Sequence, residues 1–111
     1  MELNLDKCFI ETLKIFLSIA ENTDYAEKPI DYNIFRDNVE NVTVTESITK
    51  DERDLAVGYV KEALNFSKIC SYLLRHPGSF AFDDYVYWGD RKNAIETAKL
   101  YVEQLEERYQ L

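Results

Sequence analysis

The side chains best suited to acid–base chemistry are His76, the only histidine in the chain, and Arg75 beside it. Together with an aspartate they could serve a small nuclease-like enzyme. Nucleophilic catalysis, however, needs a base that a third group holds in place, and neither cysteine lies near His76 in the sequence. A histidine at a helix end more commonly compensates the helix dipole. We therefore expect no catalytic residue and no enzymatic activity, and we keep the nuclease as a second alternative.

The remaining groups with chemical potential are the adjacent carboxylates Asp83 and Asp84 and the thiols Cys8 and Cys70. Glycoside hydrolysis needs two carboxylates on either side of a substrate cleft, and a divalent ion needs more oxygen ligands than this segment offers. Two cysteines and one histidine do not complete a zinc site. We expect no metal and no cofactor.

Both cysteines fall at apolar positions of predicted helices, which indicates buried, reduced thiols. The N-terminus lacks the basic region of a secretory signal, and no apolar run approaches the roughly 20 residues that span a bilayer. These features predict a cytoplasmic protein without membrane contact.

Charge limits the range of partners. The formal net charge is −8, which disfavours direct contact with nucleic acid or with an anionic membrane. Residues 21–54 hold ten acidic and four basic residues, which is most of this excess. Such a segment is either a solvated region or a docking face for a basic protein. The candidate contact residues in it are Asp31, Asp37 and Glu40.

A stripe of positive charge contrasts with this segment. Lys61, Lys68 and Arg75 recur every seven residues and share one face of a predicted helix. The stripe is either a solvated face or a contact for phosphate or an acidic partner. Three charges are too few for firm nucleic-acid binding.

The second candidate contact region is the predicted connector over residues 79–89, which is rich in aromatic and acidic side chains. Such rings either close the end of a helical bundle or form a binding hot spot. The candidate contact residues here are Phe82, Asp83, Asp84, Tyr85, Tyr87 and Trp88.

The elements that must position these residues are helical. Apolar spacing predicts long helices over residues 4–22, 49–76 and 91–109, and a short helix over 31–39. Asn4 or Asp6, the capping box from Thr49 to Glu52, and Asp90 are the predicted N-caps. Residues 40–48 are predicted as an extended loop rather than a strand, and residues 80–88 could form a small hairpin. The sequence therefore predicts an all-α bundle of three long helices and one short helix, in one domain over residues 1–111.

Apolar positions indicate which faces are buried. In the first helix Phe9, Leu13 and Leu17 mark one face, which Ile10, Ile15 and Ile19 widen. The second long helix also carries apolar residues away from its main stripe, namely Leu55, Val57, Leu64 and Phe66. A helix that is apolar on more than one side is either central or lies at an interface.

These observations favour an acidic binding protein that neutralises a basic protein partner such as a toxin or nuclease. Bacterial toxin-immunity proteins and phage-encoded nuclease inhibitors form that class by analogy of size, charge and lack of catalytic motifs. The first alternative is a helical homodimeric scaffold or interaction domain.

Overall fold

A computed structural model describes residues 4–22, 32–41, 44–75 and 84–111, without the side chains of residues 32, 34, 74, 75 and 84–86. These ranges contain four helices and no strand, which confirms the predicted all-α bundle. None of the described helices has both the length and the apolar character needed to cross a membrane. The helices are α1 (Leu5–Asn22), α2 (Tyr32–Asn41), α3 (Lys50–Arg75) and α4 (Asp84–Tyr109).

Helix α1 contributes more buried residues to the hydrophobic core than any other described helix. Asn4 caps it, since the backbone N–H of Lys7 donates to Asn4 Oδ1 at 3.0 Å. The predicted stripe is buried, but two predictions for this helix were wrong. Ile15 is 61% exposed, and Cys8 is also exposed. Both residues therefore lie on the side of α1 that the other described helices leave uncovered. The buried residues of α1 are Asp6, Phe9, Ile10, Leu13, Phe16, Leu17 and Ala20.

Helix α3 is the central element, because it packs against α1, α2 and α4. Its capping box forms as predicted: the Thr49 amide donates to Glu52 Oε1 at 3.1 Å, and the Glu52 amide donates to Thr49 Oγ1 at 3.2 Å. The central position explains two of the residues off the main stripe, because Leu64 is fully buried and Val57 packs against the core. Cys70 is buried, as predicted.

The connector before α3 is held by a buried carboxylate. Asp6 accepts hydrogen bonds from the backbone amides of Glu46 at 2.8 Å, Ser47 at 2.9 Å and Ile48 at 3.4 Å. Burial raises the pKa of Asp6, but these hydrogen bonds outweigh it and leave the pKa lowered. Residues 44–48 therefore form an ordered loop rather than a strand, while residues 40 and 41 end α2.

Helix α4 begins six residues before the predicted N-cap at Asp90, so that assignment was wrong. Residues 84–88 are helical, which excludes the hairpin there, and residues 80–83 lie outside the described part of the chain. One contact from α3 and one contact within α4 involve the additional turns. The Tyr87 carbonyl accepts from the Cys70 thiol at 3.5 Å, and the Trp88 ring contacts the Arg91 guanidinium.

Candidate functional site

The predicted aromatic contact residues are only partly described. Tyr87 and Trp88 are both partly buried side chains on α4. Asp84 and Tyr85 lie in the first turn of α4, and their side chains are outside the described part of the structure. The other three predicted contact residues, Phe82, Asp83 and Asp31, also lie outside the described residues.

The acidic contact residues lie on a different helix. Asp37 and Glu40 are exposed on α2, which packs against α1 and α3 and makes no contact with α4 in the described structure. Glu40 pairs with Lys61 of α3, and the hydrogen bond from Lys61 is the main cause of its lowered pKa. The two predicted contact regions therefore occupy separate helices.

Two members of the basic stripe of α3 contact α2, although Lys68 remains exposed to solvent. Lys61 pairs with Glu40, and Lys68 Nζ donates to Asn33 Oδ1 at 3.4 Å. The side chain of Arg75 is outside the described part of the chain, as is His76. The acidic segment and the basic stripe therefore partly neutralise each other within the fold.

Two further acids from the acidic segment also have internal partners. Glu21 pairs with Lys99 of α4. Glu52 pairs with Arg108 and accepts a hydrogen bond from the Tyr109 hydroxyl, which is the main reason why its pKa falls to about 2. These carboxylates pair with cations on another helix, so much of their charge is neutralised within the fold.

Trp88 belongs to a cluster that joins three helices. Arg91 Nη2 donates to the carbonyls of Ala20 at 2.8 Å and Glu21 at 2.7 Å, and its Nε donates to Ser67 Oγ at 3.2 Å. The Arg91 Cζ atom lies 5.7 Å from the centre of the Trp88 ring. Trp88 therefore packs against the arginine that satisfies carbonyl groups at the C-terminal end of α1.

A groove between α3 and α4 combines aromatic and acidic side chains. On each helix the lining residues are three or four positions apart and therefore share one face. Its volume is about 250 Å³. We call it the α3–α4 groove, and its lining residues are Tyr59, Glu62, Phe66, Asp90, Asn93, Ala94 and Thr97.

The aromatic part of this groove is fixed by packing. The Tyr59 and Tyr101 rings lie 5.4 Å apart between centroids at an angle of 67°, an edge-to-face contact across α3 and α4. Burial, together with the nearby Glu52 carboxylate, raises the pKa of Tyr101. Phe66 is partly buried one turn beyond Glu62.

The carboxylates in the groove differ from those in the ion pairs. Glu62 is exposed and Asp90 is partly buried, and neither makes a hydrogen bond or ion pair with another described residue. Within the described structure no lysine or arginine lines the groove. The groove therefore presents two uncompensated negative charges beside aromatic rings.

A second groove, between α1 and α4, has a similar volume of about 250 Å³ but a different charge balance. Two cations, Lys14 and Lys99, line it together with Glu21 and Glu103. Lys99 pairs with Glu21, and Lys14 Nζ lies 2.7 Å from Glu106 Oε2. We call it the α1–α4 groove, and its positive and negative lining charges balance.

One predicted contact residue adjoins the α3–α4 groove. Tyr87 lies three positions before Asp90, on the same stripe of α4 as Ala94 and Thr97. Sequence reasoning missed Tyr59 and Glu62 and treated Asp90 as a cap. The signal that could have identified them is the spacing of three and four residues that links Tyr59 and Glu62 to Phe66, an aromatic residue off the main apolar stripe.

The arrangement suits the binding of a cation, because carboxylates beside aromatic rings attract positive charge. In the described ranges, no three histidine, cysteine or acidic side chains are grouped so that they could hold a metal ion. Comparison with protein families, curated proteins and solved structures finds no match to this chain.

Proposed function

We propose that this chain is an acidic binding protein that neutralises a basic protein partner by docking it against the α3–α4 groove. A bacterial toxin-immunity protein or a phage-encoded nuclease inhibitor is the class that we favour. One observation carries the proposal: Glu62 and Asp90 have no hydrogen-bond or ion-pair partner among the described residues, and they lie beside aromatic side chains in one concave surface.

Two physical effects support this function. The net charge of −8 attracts a cationic protein over a distance and raises the rate of encounter. The groove then supplies the short-range part, because carboxylates that meet cations near apolar rings lose water and interact more strongly than exposed pairs. The net charge raises the association rate, whereas the groove defines where the partner makes contact.

The homodimer alternative has less support than the sequence suggested. Its basis was the apolar residues off the main stripe of α3, and the central position of α3 accounts for Leu64 and Val57. Leu55 remains 46% exposed. Sedimentation of the pure protein distinguishes the two functions, because the binding protein is expected to be monomeric until its partner is added.

The proposal is tested by capture of the partner with two matched variants. Tagged wild-type protein should retain one basic protein from a lysate of the source organism, and salt should release it. The variant Glu62→Gln/Asp90→Asn should lose that protein. The variant Glu103→Gln/Glu107→Gln should keep it, although it loses the same two negative charges. Equal capture by both variants, or capture of no basic protein by the wild type, would contradict the proposal.

A further inference from the structure

We infer that the α3–α4 groove selects arginine over lysine in the basic partner. This inference rests on the proposed function and specifies the side chain that the groove receives. The groove joins two features that a guanidinium uses together, namely aromatic side chains and carboxylates on two different helices.

The aromatic side chains favour a flat cation. A guanidinium is planar and weakly hydrated, so it stacks on an aromatic ring at low desolvation cost, whereas an ammonium is a compact and strongly hydrated charge. Tyr59 comes from α3, where its ring is held by Tyr101, and Phe66 lies seven residues further along the same helix. The Tyr59 ring is therefore positioned before a ligand arrives.

The polar groups favour a cation with several donors. Glu62 on α3 and Asp90 on α4 offer carboxylates from opposite sides of the groove. Asn93 and Thr97 add a neutral amide oxygen and a hydroxyl on the α4 side. Arginine has five N–H donors in a fixed fork and can use several of these acceptors at once, whereas lysine has three donors at one point.

The α1–α4 groove lacks this combination. In the part of the chain that the structure describes, its lining contains no aromatic side chain, and it holds two lysines of the chain itself, Lys14 and Lys99, of which Lys99 pairs with Glu21. The same arginine ligand should therefore have no defined contact there, and this groove serves as an internal control.

The test is a titration of the isotope-labelled full chain, followed by amide chemical shifts, with two blocked pentapeptides of equal charge. One peptide carries arginine at its second and fourth positions with glycine elsewhere, and the other carries lysine at those positions. The arginine peptide should bind about two- to fivefold more tightly, as expected for stacking at an accessible aromatic ring. Its shifts should centre on residues 59–66 and 90–97.

Two variants separate stacking from charge. Tyr59→Leu should reduce the preference for arginine to less than about twofold while both peptides still bind, because leucine keeps apolar volume but offers no ring face. Glu62→Gln should weaken both peptides. If the Tyr59 variant does not fold, the wild-type comparison of the two peptides still tests the preference for arginine. Glu62→Gln then tests the location of the site, because Glu62 is exposed and has no partner among the described residues.

The outcomes distinguish this inference from the proposed function. Equal affinity for the two peptides, with shifts in the α3–α4 groove, would overturn the arginine preference and leave the docking of a basic partner intact. Shifts from neither peptide in the α3–α4 groove, or shifts centred on the α1–α4 groove, would overturn both.

Discussion

Two of the grooves that border helix α4, the α1–α4 groove and the α3–α4 groove, have similar volumes but differ in how their charges are used. In the α1–α4 groove, Lys99 pairs with Glu21 and Lys14 pairs with Glu106. In the α3–α4 groove, Glu62 and Asp90 have no partner among the described residues. A concave shape alone therefore does not mark a binding site in this molecule. The balance of charges inside the groove separates the two surfaces.

The same distinction applies to the carboxylates of the whole molecule. Asp6 and Glu52 accept several hydrogen bonds, so their charge stabilises the fold. Glu62 and Asp90 accept no such hydrogen bonds from other described residues. The total charge of −8 therefore overstates what is available to a partner. Carboxylates that lie beside aromatic rings, in a groove that no described lysine or arginine lines, are the better guide to the docking surface.

The largest effect should follow loss of a carboxylate that is used by the fold. Asp6→Ala leaves the backbone amides of Glu46 and Ser47 without their acceptor, so the free energy of unfolding should fall by about 2–4 kcal/mol. Denaturant unfolding measures this change. Partner affinity of the folded protein should stay within about twofold, since Asp6 lies outside the α3–α4 groove.

Asp37→Ala is the control for that experiment, because Asp37 is exposed and lies 4.0 Å from the Arg36 guanidinium. Its effect on stability should stay within about 0.5 kcal/mol. A comparably small change for Asp6→Ala would show that the hydrogen bonds to the loop do not stabilise the fold.

Acid should weaken the fold through the same class of carboxylate. The pKa of Glu52 falls from 4.5 to about 2 in the folded protein, and the pKa of Asp6 is also lowered from 3.8. The folded protein therefore binds fewer protons than the unfolded chain in this range. The stabilisation that ionised Glu52 contributes is fully present above pH 4.5 and should be lost as the pH falls toward 2.

Denaturant midpoints measured from neutral pH down to pH 2 check this dependence. Glu52→Gln should give a less stable protein whose midpoint changes less with pH, because a carboxyl group with a lowered pKa is absent. An unchanged pH profile in this variant would contradict the assignment of the acid sensitivity to Glu52.

Substitution of Tyr87 or Trp88, which are adjacent on α4, should have smaller effects, and these should fall on different properties of the protein. Tyr87→Ala should weaken partner binding by about 1–2 kcal/mol, because Tyr87 extends the stripe that carries Asp90. Trp88→Ala should instead act mainly on stability, because its ring packs against Arg91. Titration calorimetry and denaturant unfolding of both variants give the two quantities. Equal losses of affinity would place Trp88 in the contact as well.

The smallest free-energy change should come from salt. Raising the ionic strength screens the attraction between the acidic protein and its basic partner, so the association rate should fall several-fold while the dissociation rate changes less. Stopped-flow mixing at increasing salt measures both rates. A salt-independent association rate would contradict electrostatic steering.

The fold was largely predictable because its signals are local. The spacing of Phe9, Leu13 and Leu17 indicated the buried face of α1, and Thr49 with Glu52 indicated the start of α3. The start of α4 was not predicted, because Asp90 resembles an N-cap and the aromatic residues before it have modest helix propensity. Contacts from Cys70 and Arg91 support the added turns.

The candidate site was harder to predict because it depends on which helices pack together. Tyr59 and Asp90 are 31 positions apart in the sequence and become neighbours only through the pairing of α3 with α4. The ion-pair partners of the acidic residues within the chain could not be predicted for the same reason. Glu40 was predicted as a contact residue and Glu52 as part of a capping box, yet Lys61 and Arg108 pair with them in the fold.

The most direct test of the docking surface is the affinity of the captured partner for the two double variants at one salt concentration. Glu62→Gln/Asp90→Asn should weaken binding at least about tenfold, as expected when two charge contacts are lost. Glu103→Gln/Glu107→Gln carries the same change in net charge and should stay within about twofold of the wild type. Equal weakening by both variants would show that total charge, and not the α3–α4 groove, determines binding.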